Sequence, residues 1–454
     1  MGPFVVRGVH TMVYIMSILM LMMVSFTGEV AGKCRKYADQ VLLVSMDGFR
    51  YDYPEKVSTP NFDRMARDGV KAEYMTTTFV TKTFPTHYSI VTGLYTESHG
   101  IVGNTMYDPE FDEFFSMRSH QTKWWDAGEP VWITARKHGL TSGTMFWPGS
   151  EVEIQGMHAN KWYTYNDSIT FDQRVDIVID MLKDDQFNFV TTYFNEPDLA
   201  GHIYGPNSPE VVNKIVEMDS LLGTLLDKLI ANGLQNKVNL ILTSDHGMTA
   251  VDFDNKLVEI YELVDKSLIQ LTVDSGPIMH VVPAEGQEDA VLSAINSHPH
   301  FTAYRKADIP DRWHYQNNRR IMPIFVVADE GWTITWNATS SKLRPSKGNH
   351  GYDNSLMSMK PIFYAMGPNF GSNFSAPPIN SVDIYPLLCE LLGMTPSPNN
   401  GTLPNIAHLL QPFTADQQIC DGALGFTSGK LHFLSVFVFL IVRFMTQVDG
   451  GRDE

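Results

Sequence analysis

The sequence predicts an α/β fold: a mainly parallel central sheet with helices on both faces and a small inserted subdomain. Three observations carry this prediction. Short, almost wholly apolar runs, VLLVSM (41–46), FNFVTTYF (187–194) and VNLILTS (238–244), read as strands buried on both sides. Amphipathic runs lie between them: FDQRVDIVIDMLK (171–183) and VVNKIVEMDSLLGTLLDKLIANG (211–233), the latter ending in glycine. Strands alternating with helices bury a parallel sheet from both faces. The third observation is a more mixed segment, from about 250 to 345, which reads as the insertion. DIYPLLCELLG (383–393) reads as the last folded helix.

A chain of 454 residues can form one large α/β domain or two ordinary ones. With 43% hydrophobic and 19% charged residues it has a globular balance. Its net charge is −17 and no basic block interrupts it, which excludes duplex nucleic-acid binding by phosphate neutralisation. An anionic substrate would require a strong local cation, such as a metal ion.

Both ends read as targeting segments. MVYIMSILMLMMVSF, from Met12, follows Arg7 and His10 and leads to GEVAG, so residues 1–32 are expected to be a secretory signal. LHFLSVFVFLIV (431–442), followed by Arg443, suggests a membrane anchor over 423–445, with a lipid anchor as the alternative. A stalk (413–422) would precede it and a short tail (446–454) follow, leaving 33–412 as one domain at the cell surface. Four sequons agree with export: Asn166-Asp-Ser168, Asn337-Ala-Thr339, Asn373-Phe-Ser375 and Asn400-Gly-Thr402. Cys34, Cys389 and Cys420 permit one disulfide, with the pairing open.

The strand ends carry the chemistry. VLLVSM runs into Asp47-Gly48, FNFVTTYF into Asn195-Glu196-Pro197-Asp198 with His202 beyond, and VNLILTS into Asp245-His246-Gly247. Ligands of open α/β sheets bind outside the carboxyl ends of the strands. His350 lies in GNHGY, flanked by residues that allow a tight turn. Singly, each has an ordinary reading: a turn at Asp47, a surface hydrogen bond between Asp198 and His202, a loop histidine at 350. Together, Asp47, Asp198, His202, Asp245, His246 and His350 suit two zinc ions, which accept imidazole nitrogen and carboxylate oxygen. Thr83, in TKTFPTHYSIVTGLYTE, is either a helix cap or a seventh ligand and nucleophile. Two metals about 3.5–4 Å apart can hold the attacking and leaving oxygens of an in-line phosphoryl displacement.

The segments TKTFPTHYSIVTGLYTESHGIVGN, EPDLAGHIYGP, SDHGM and GNHGYDN resemble those of the ectonucleotide pyrophosphatase/phosphodiesterase family, in the alkaline phosphatase superfamily. The resemblance runs from about Cys34 to Leu410 and is nearest the short, membrane-anchored branch. It implies an alkaline-phosphatase-like fold and a phosphodiesterase domain at 33–412. One zinc would be held by Asp198, His202 and His350, the other by Asp47, Asp245, His246 and Thr83. Thr83 would be the nucleophile, Asn104 would hold a phosphate oxygen, and Phe84 and Tyr165 would sandwich a nucleobase. The Phe84 N–H, near a helix start, is expected to help hold that phosphate. Lys82 is either a phosphate ligand or a structural lysine. Many relatives carry a cysteine soon after SDHGM, where this chain has Ala250. The implied protein is a monomer that hydrolyses ATP, dinucleoside polyphosphates or NAD and releases a nucleoside 5′-monophosphate. A choline-phosphodiester substrate, or a catalytically weak receptor or adhesion role, is the alternative.

Overall fold

The computed structural model describes residues 40–337 and 346–411. Eight strands form the central sheet: β1 (Gln40–Met46), β2 (Val70–Ala72), β3 (Thr141–Met145), β4 (Lys161–Tyr163), β5 (Phe187–Phe194), β6 (Val238–Thr243), β7 (Phe363–Met366) and β8 (Phe374–Ala376). Their spatial order is β8-β2-β7-β6-β1-β5-β3-β4. β7 runs antiparallel to both of its neighbours, β6 and β2. The other pairings are parallel. The sheet is therefore mixed. The expected strands were those buried in long apolar runs, and β7, only four residues long, falls below that signal.

Register explains why the strand ends converge. β1 lies between β5 and β6, with Met46 opposite Phe194 and Ser45 opposite Thr243. The three strands end nearly level, so the residues that follow each of them share one sheet edge.

The helices used below are α1 (Pro60–Asp68), α2 (Thr83–Thr92), α3 (Phe171–Lys183), α4 (Asp198–Tyr204), α5 (Pro209–Ala231) and α6 (Ile384–Leu392). Successive strand side chains point to opposite faces. Val41 and Leu43 enter one core with Ile90 and Val91 of α2 and Leu387 and Leu391 of α6. Leu42, Val44 and Met46 enter the other with Phe62 of α1, Val178 of α3 and Leu222 of α5. Both faces are thus covered, as the unbroken apolar runs require.

Local signals set the helix limits. Thr170 caps α3 through Gln173 in a reciprocal capping box. Ser208 caps α5 and Pro209 occupies its first turn, so the helix starts before the apolar pattern does. α6 is not the last element. A short helix, Leu403–Ile406, and a helical turn to Leu409 follow the stretch TPSPNNGT, whose Pro and Asn content hides them. Cys389 is fully buried in α6, and burial pushes its thiol up to about 12.

The insertion is real. An antiparallel sheet orders Ile269–Val273, Ile278–Pro283, Ile324–Ala328 and Phe301–Arg305, with helix Glu288–Ile295 packed on it. Met279, Val281, Val291, Ile295, Ile324 and Val326 belong to its own core. Arg319 and Arg320 reach back to the buried Asp108. The expected signal peptide, stalk, anchor and tail, with Cys34, Cys420 and Thr339, lie outside the described residues. Among the described residues, no helix is long and apolar enough to cross a membrane.

Candidate active site

Asp47 follows β1 and is 2% exposed; Asp245 follows β6 and is fully buried. Gly48 has φ +64° and its N–H donates to Asp245 Oδ1 at 3.1 Å. A Cβ at Gly48 would lie 2.7 Å from the Cβ of Asp198, so the glycine is what lets the third carboxylate approach. Asp198 opens α4, and its N–H donates to Asp47 O at 3.0 Å. Asp47-Gly48 is thus a turn, as its ordinary reading has it, and the same turn brings the carboxylates of Asp47 and Asp198 together.

Three imidazoles face these carboxylates. His246 Nε2 is 3.0 Å from Asp245 Oδ2 and 3.4 Å from Asp47 Oδ1. His202 Nε2 is 3.4 Å from Asp198 Oδ2, and His350 Nε2 is 3.6 Å from Asp198 Oδ1. On each ring, Nδ1 is 2.8 Å from a backbone oxygen: Gly348 O for His202, Gly247 O for His246, Thr81 O for His350. A carbonyl can only accept, so each Nδ1 carries the proton and each Nε2 presents a lone pair inward. GNHGY reaches α4 because a Cβ on Gly348 would fall 2.4 Å from Gly201 O, a contact only glycine allows.

The electrostatics are those of a site built for cations. Burial, then repulsion from Asp245 and Asp198, pushes the Asp47 carboxyl well above the usual carboxylate range. Burial also opposes ionisation of Asp245, but without a metal the protonated forms of His246 and His87 overcome it and hold that carboxyl well below its ordinary value. Against the effect of burial, Asp245 in turn raises the His246 imidazole, so a cation bound at Nε2 would take the place of that proton. Burial, with His246 and His202 alongside, drives the His350 imidazole well below its ordinary value, toward the neutral form a metal needs. Asp47 Oδ1, Asp198 Oδ1 and Asp245 Oδ2 are buried and accept no hydrogen bond. Orphaned carboxylate oxygens facing imidazole lone pairs fit divalent cations. Asp198, His202 and His350 offer one such group of ligand atoms within 4.8 Å of one another; Asp47, Asp198 and His246 offer another.

Thr83 is the first residue of α2 and is 8% exposed. Its Oγ1 lies 3.4 Å from His246 Nε2. Lys82 takes the N-cap position and its side chain pairs with Asp274 Oδ2 at 2.5 Å, both ends buried. The structural reading of Lys82 holds: it ties the insertion to the start of α2. The Phe84 N–H donates to Asn104 Oδ1 at 2.9 Å. It therefore orients Asn104, and the Asn104 amide NH₂ is the group left for an anion.

Sequence reasoning missed two supports. His87, one turn after Thr83, places Nδ1 2.8 Å from Thr83 O and 3.3 Å from Asp245 Oδ2, with Nε2 2.8 Å from Ser45 Oγ. The Tyr193 hydroxyl donates to Asp47 Oδ2 at 2.6 Å. Both lie inside regular apolar elements and read as core; the four-residue step from Thr83 to His87 was the available signal.

A cavity of about 730 Å³ opens over this edge, lined by Asp47, Thr83, Asn104, Asp198, His202 and His350. Phe84 and Tyr165 also line it, with Tyr165 41% exposed. Glu151, at its wall, accepts the Tyr165 N–H at 3.0 Å and pairs with His120 at 2.9 Å. Asn166, Asn373 and Asn400 are exposed and Asn337 is half-buried.

Comparison with known proteins identifies the family. Residues 41–353 match the family model described as type I phosphodiesterase / nucleotide pyrophosphatase. The human ectonucleotide pyrophosphatase/phosphodiesterase family member 5 is 44% identical over 397 residues, covering 85% of this chain and 82% of the relative. The bis(5′-adenosyl)-triphosphatase enpp4 of Xenopus laevis is 40% identical, covering 91% and 90%. A solved structure of inactive murine ectonucleotide pyrophosphatase/phosphodiesterase 5 in complex with AMP superposes with a TM-score of 0.79 at 42% identity, over 82% of this chain and 100% of that one. The chain belongs to the type I phosphodiesterase / nucleotide pyrophosphatase family and is a hydrolase of that type.

Proposed function

We propose that this protein is a cell-surface, two-zinc enzyme that cleaves phosphodiester and pyrophosphate bonds of nucleotides and releases a nucleoside 5′-monophosphate. One observation supports it above all: buried, orphaned oxygens of three carboxylates and three inward imidazole nitrogens gather at one sheet edge, with His246 beside the Thr83 hydroxyl at a helix start. In this reading one zinc is held by Asp198, His202 and His350 and the other by Asp47, Asp245, His246 and Thr83. Zinc there supplies Lewis acidity to phosphate oxygens and lowers the pKa of the Thr83 hydroxyl.

The chain's own residues do the rest. Asn104 offers its amide to a non-bridging oxygen, held in place by the Phe84 N–H. Thr83 Oγ1 forms a bond to phosphorus as the bond to the leaving oxygen breaks, and the threonine proton reaches that oxygen through solvent. Water then attacks phosphorus from the vacated side, the Oγ1–P bond breaks, and Thr83 regains a proton. Two displacements give net retention. Phe84 and Tyr165 stack the base from the cavity walls.

The murine relative solved in complex with AMP and the relatives named bis(5′-adenosyl)-triphosphatase favour a nucleotide over a choline ester. So does Glu151, whose carboxylate is already engaged by Tyr165 and His120 rather than free for a quaternary ammonium. The reading includes a signal peptide at 1–32, glycans at the four sequons and a C-terminal anchor at 423–445. The test is hydrolysis of the p-nitrophenyl ester of thymidine 5′-monophosphate by the full chain, with glycerophosphocholine alongside at equal enzyme concentration. Thr83→Ala should abolish activity while leaving the melting temperature unchanged; full activity in that variant sinks the nucleophile assignment. Elemental analysis should find two zinc ions per chain.

A further inference from the structure

Arg174 carries a charge into the interior and, among the described residues, has no carboxylate in ion-pair contact. It lies in the first turn of α3 and is 1% exposed. Its Nε–H donates to Ile169 O at 3.1 Å and its Nη1–H to Tyr193 O at 3.0 Å, and among the described residues it forms no ion pair. Three aromatic rings surround the guanidinium: Phe146 and Phe171 at 4.9 Å and Tyr165 at 5.8 Å from Cζ. Burying an unpaired cation is costly. Carbonyl oxygens and aromatic faces offset that cost without cancelling the charge.

What the guanidinium touches gives it a role. The Tyr165 ring borders the cavity and packs against Phe146, 5.1 Å between centroids, which lines the cavity beside it. Tyr193, whose carbonyl Arg174 holds, lines the same cavity and packs 6.3 Å from Tyr165. One buried side chain therefore backs the aromatic wall and braces the end of β5 beside it. Lysine would do both less well, because a compact ammonium lacks the planar fork that reaches two separate carbonyls while lying against rings.

We propose that Arg174 is a positioning residue that sets substrate selectivity: by fixing the Tyr165 ring as a stacking face, it makes the enzyme favour nucleotides over phosphodiesters that lack a base. The inference rests on the nucleotide reading above.

The test uses the full-length, metal-loaded protein with two substrates. One is the p-nitrophenyl ester of thymidine 5′-monophosphate; the other is bis(p-nitrophenyl) phosphate, which has the scissile ester but no nucleoside. In Arg174→Gln, KM for the nucleotide ester should rise roughly tenfold, the scale of a lost base stack, with kcat little changed. kcat/KM for the base-free ester should fall far less. Arg174→Lys, which keeps the charge over the rings, should fall between wild type and Arg174→Gln, and it serves the same comparison where the glutamine variant does not fold. Tyr165→Ala should show the same selective loss, and combining it with Arg174→Gln should add little, because one acts through the other.

Equal losses on both substrates in the Arg174 variants make the residue merely structural and overturn the proposal. So does an unchanged KM. In either case a selective Tyr165→Ala leaves the nucleotide reading standing. A Tyr165→Ala variant without selectivity removes the stacking reading, and this proposal falls with it.

Discussion

Tyr193→Phe removes one oxygen atom and tests the proposed zinc site from outside its proposed ligand set. The ring keeps its packing, 5.3 Å from His87 between centroids. What is lost is the 2.6 Å hydrogen bond to Asp47 Oδ2, on a carboxylate whose Oδ1 already accepts none. Of the forces acting on Asp47, burial and its two carboxylate neighbours raise its proton affinity, and the Tyr193 hydroxyl lowers it. Phenylalanine therefore leaves a carboxylate that is harder to ionise and freer to rotate. A hydrogen bond to a charged group contributes about 1.5–3 kcal/mol. That matches the roughly 10- to 100-fold loss of metal affinity typical when a ligand loses its supporting partner. The assay is zinc competition against a chromophoric chelator, paired with kcat at limiting and at saturating zinc. Activity should drop at limiting zinc and recover when zinc is in excess. Unchanged zinc affinity with a kcat defect that excess zinc does not repair would refute the reasoning and place Tyr193 on the substrate instead.

Three further outcomes follow from the geometry. Gly48→Ala forces a left-handed residue to carry a Cβ 2.7 Å from Asp198 Cβ; about 2–4 kcal/mol of destabilisation is expected, with lower bound zinc, both read by thermal melts and elemental analysis. Asp274→Asn leaves Lys82 buried without its anion, so denaturant unfolding should show a loss of about 3–5 kcal/mol. His280 is fully buried and burial lowers its pKa from 6.5 to about 3. The unfolded chain therefore binds a proton below pH 6.5 that the folded chain refuses, so this group's contribution is present above pH 6.5 and lost on acidification toward pH 3. Wild type should lose about 1.4 kcal/mol per pH unit more than His280→Gln over that window; parallel stability curves would contradict it.

Much of the candidate site was legible because its residues follow strands. Asp47 and Asp245 sit directly after apolar runs that read as buried strands, and Asp198 four residues after another; parallel register brings such ends together. His350 was readable through its flanking glycines. The supports were not readable. Tyr193 lies inside an apolar strand and His87 inside a buried helix, where local pattern signals packing alone. Arg174 shares the apolar face of its helix with Phe171, Val178 and Met181, but residue type alone places an arginine in water; Phe146, Tyr165 and Phe171 close over it in the fold. The antiparallel β7 and the final short helix escaped for a different reason: each is about one turn or one short strand long, below the length at which periodicity is informative.

The three site histidines anchor Nδ1 on carbonyl oxygens of the main chain, not on other side chains. Their tautomers are consequently dictated by the path of the backbone. Replacing cavity-wall residues such as Phe84, Glu151 or Tyr165 leaves those three carbonyls where they are. In the proposed reading, the imidazole orientations and the selectivity of the wall occupy separable layers of the molecule, the first set by loop conformation and the second by replaceable side chains. Redesign of the wall can alter what is cleaved without resetting how the cleavage is done.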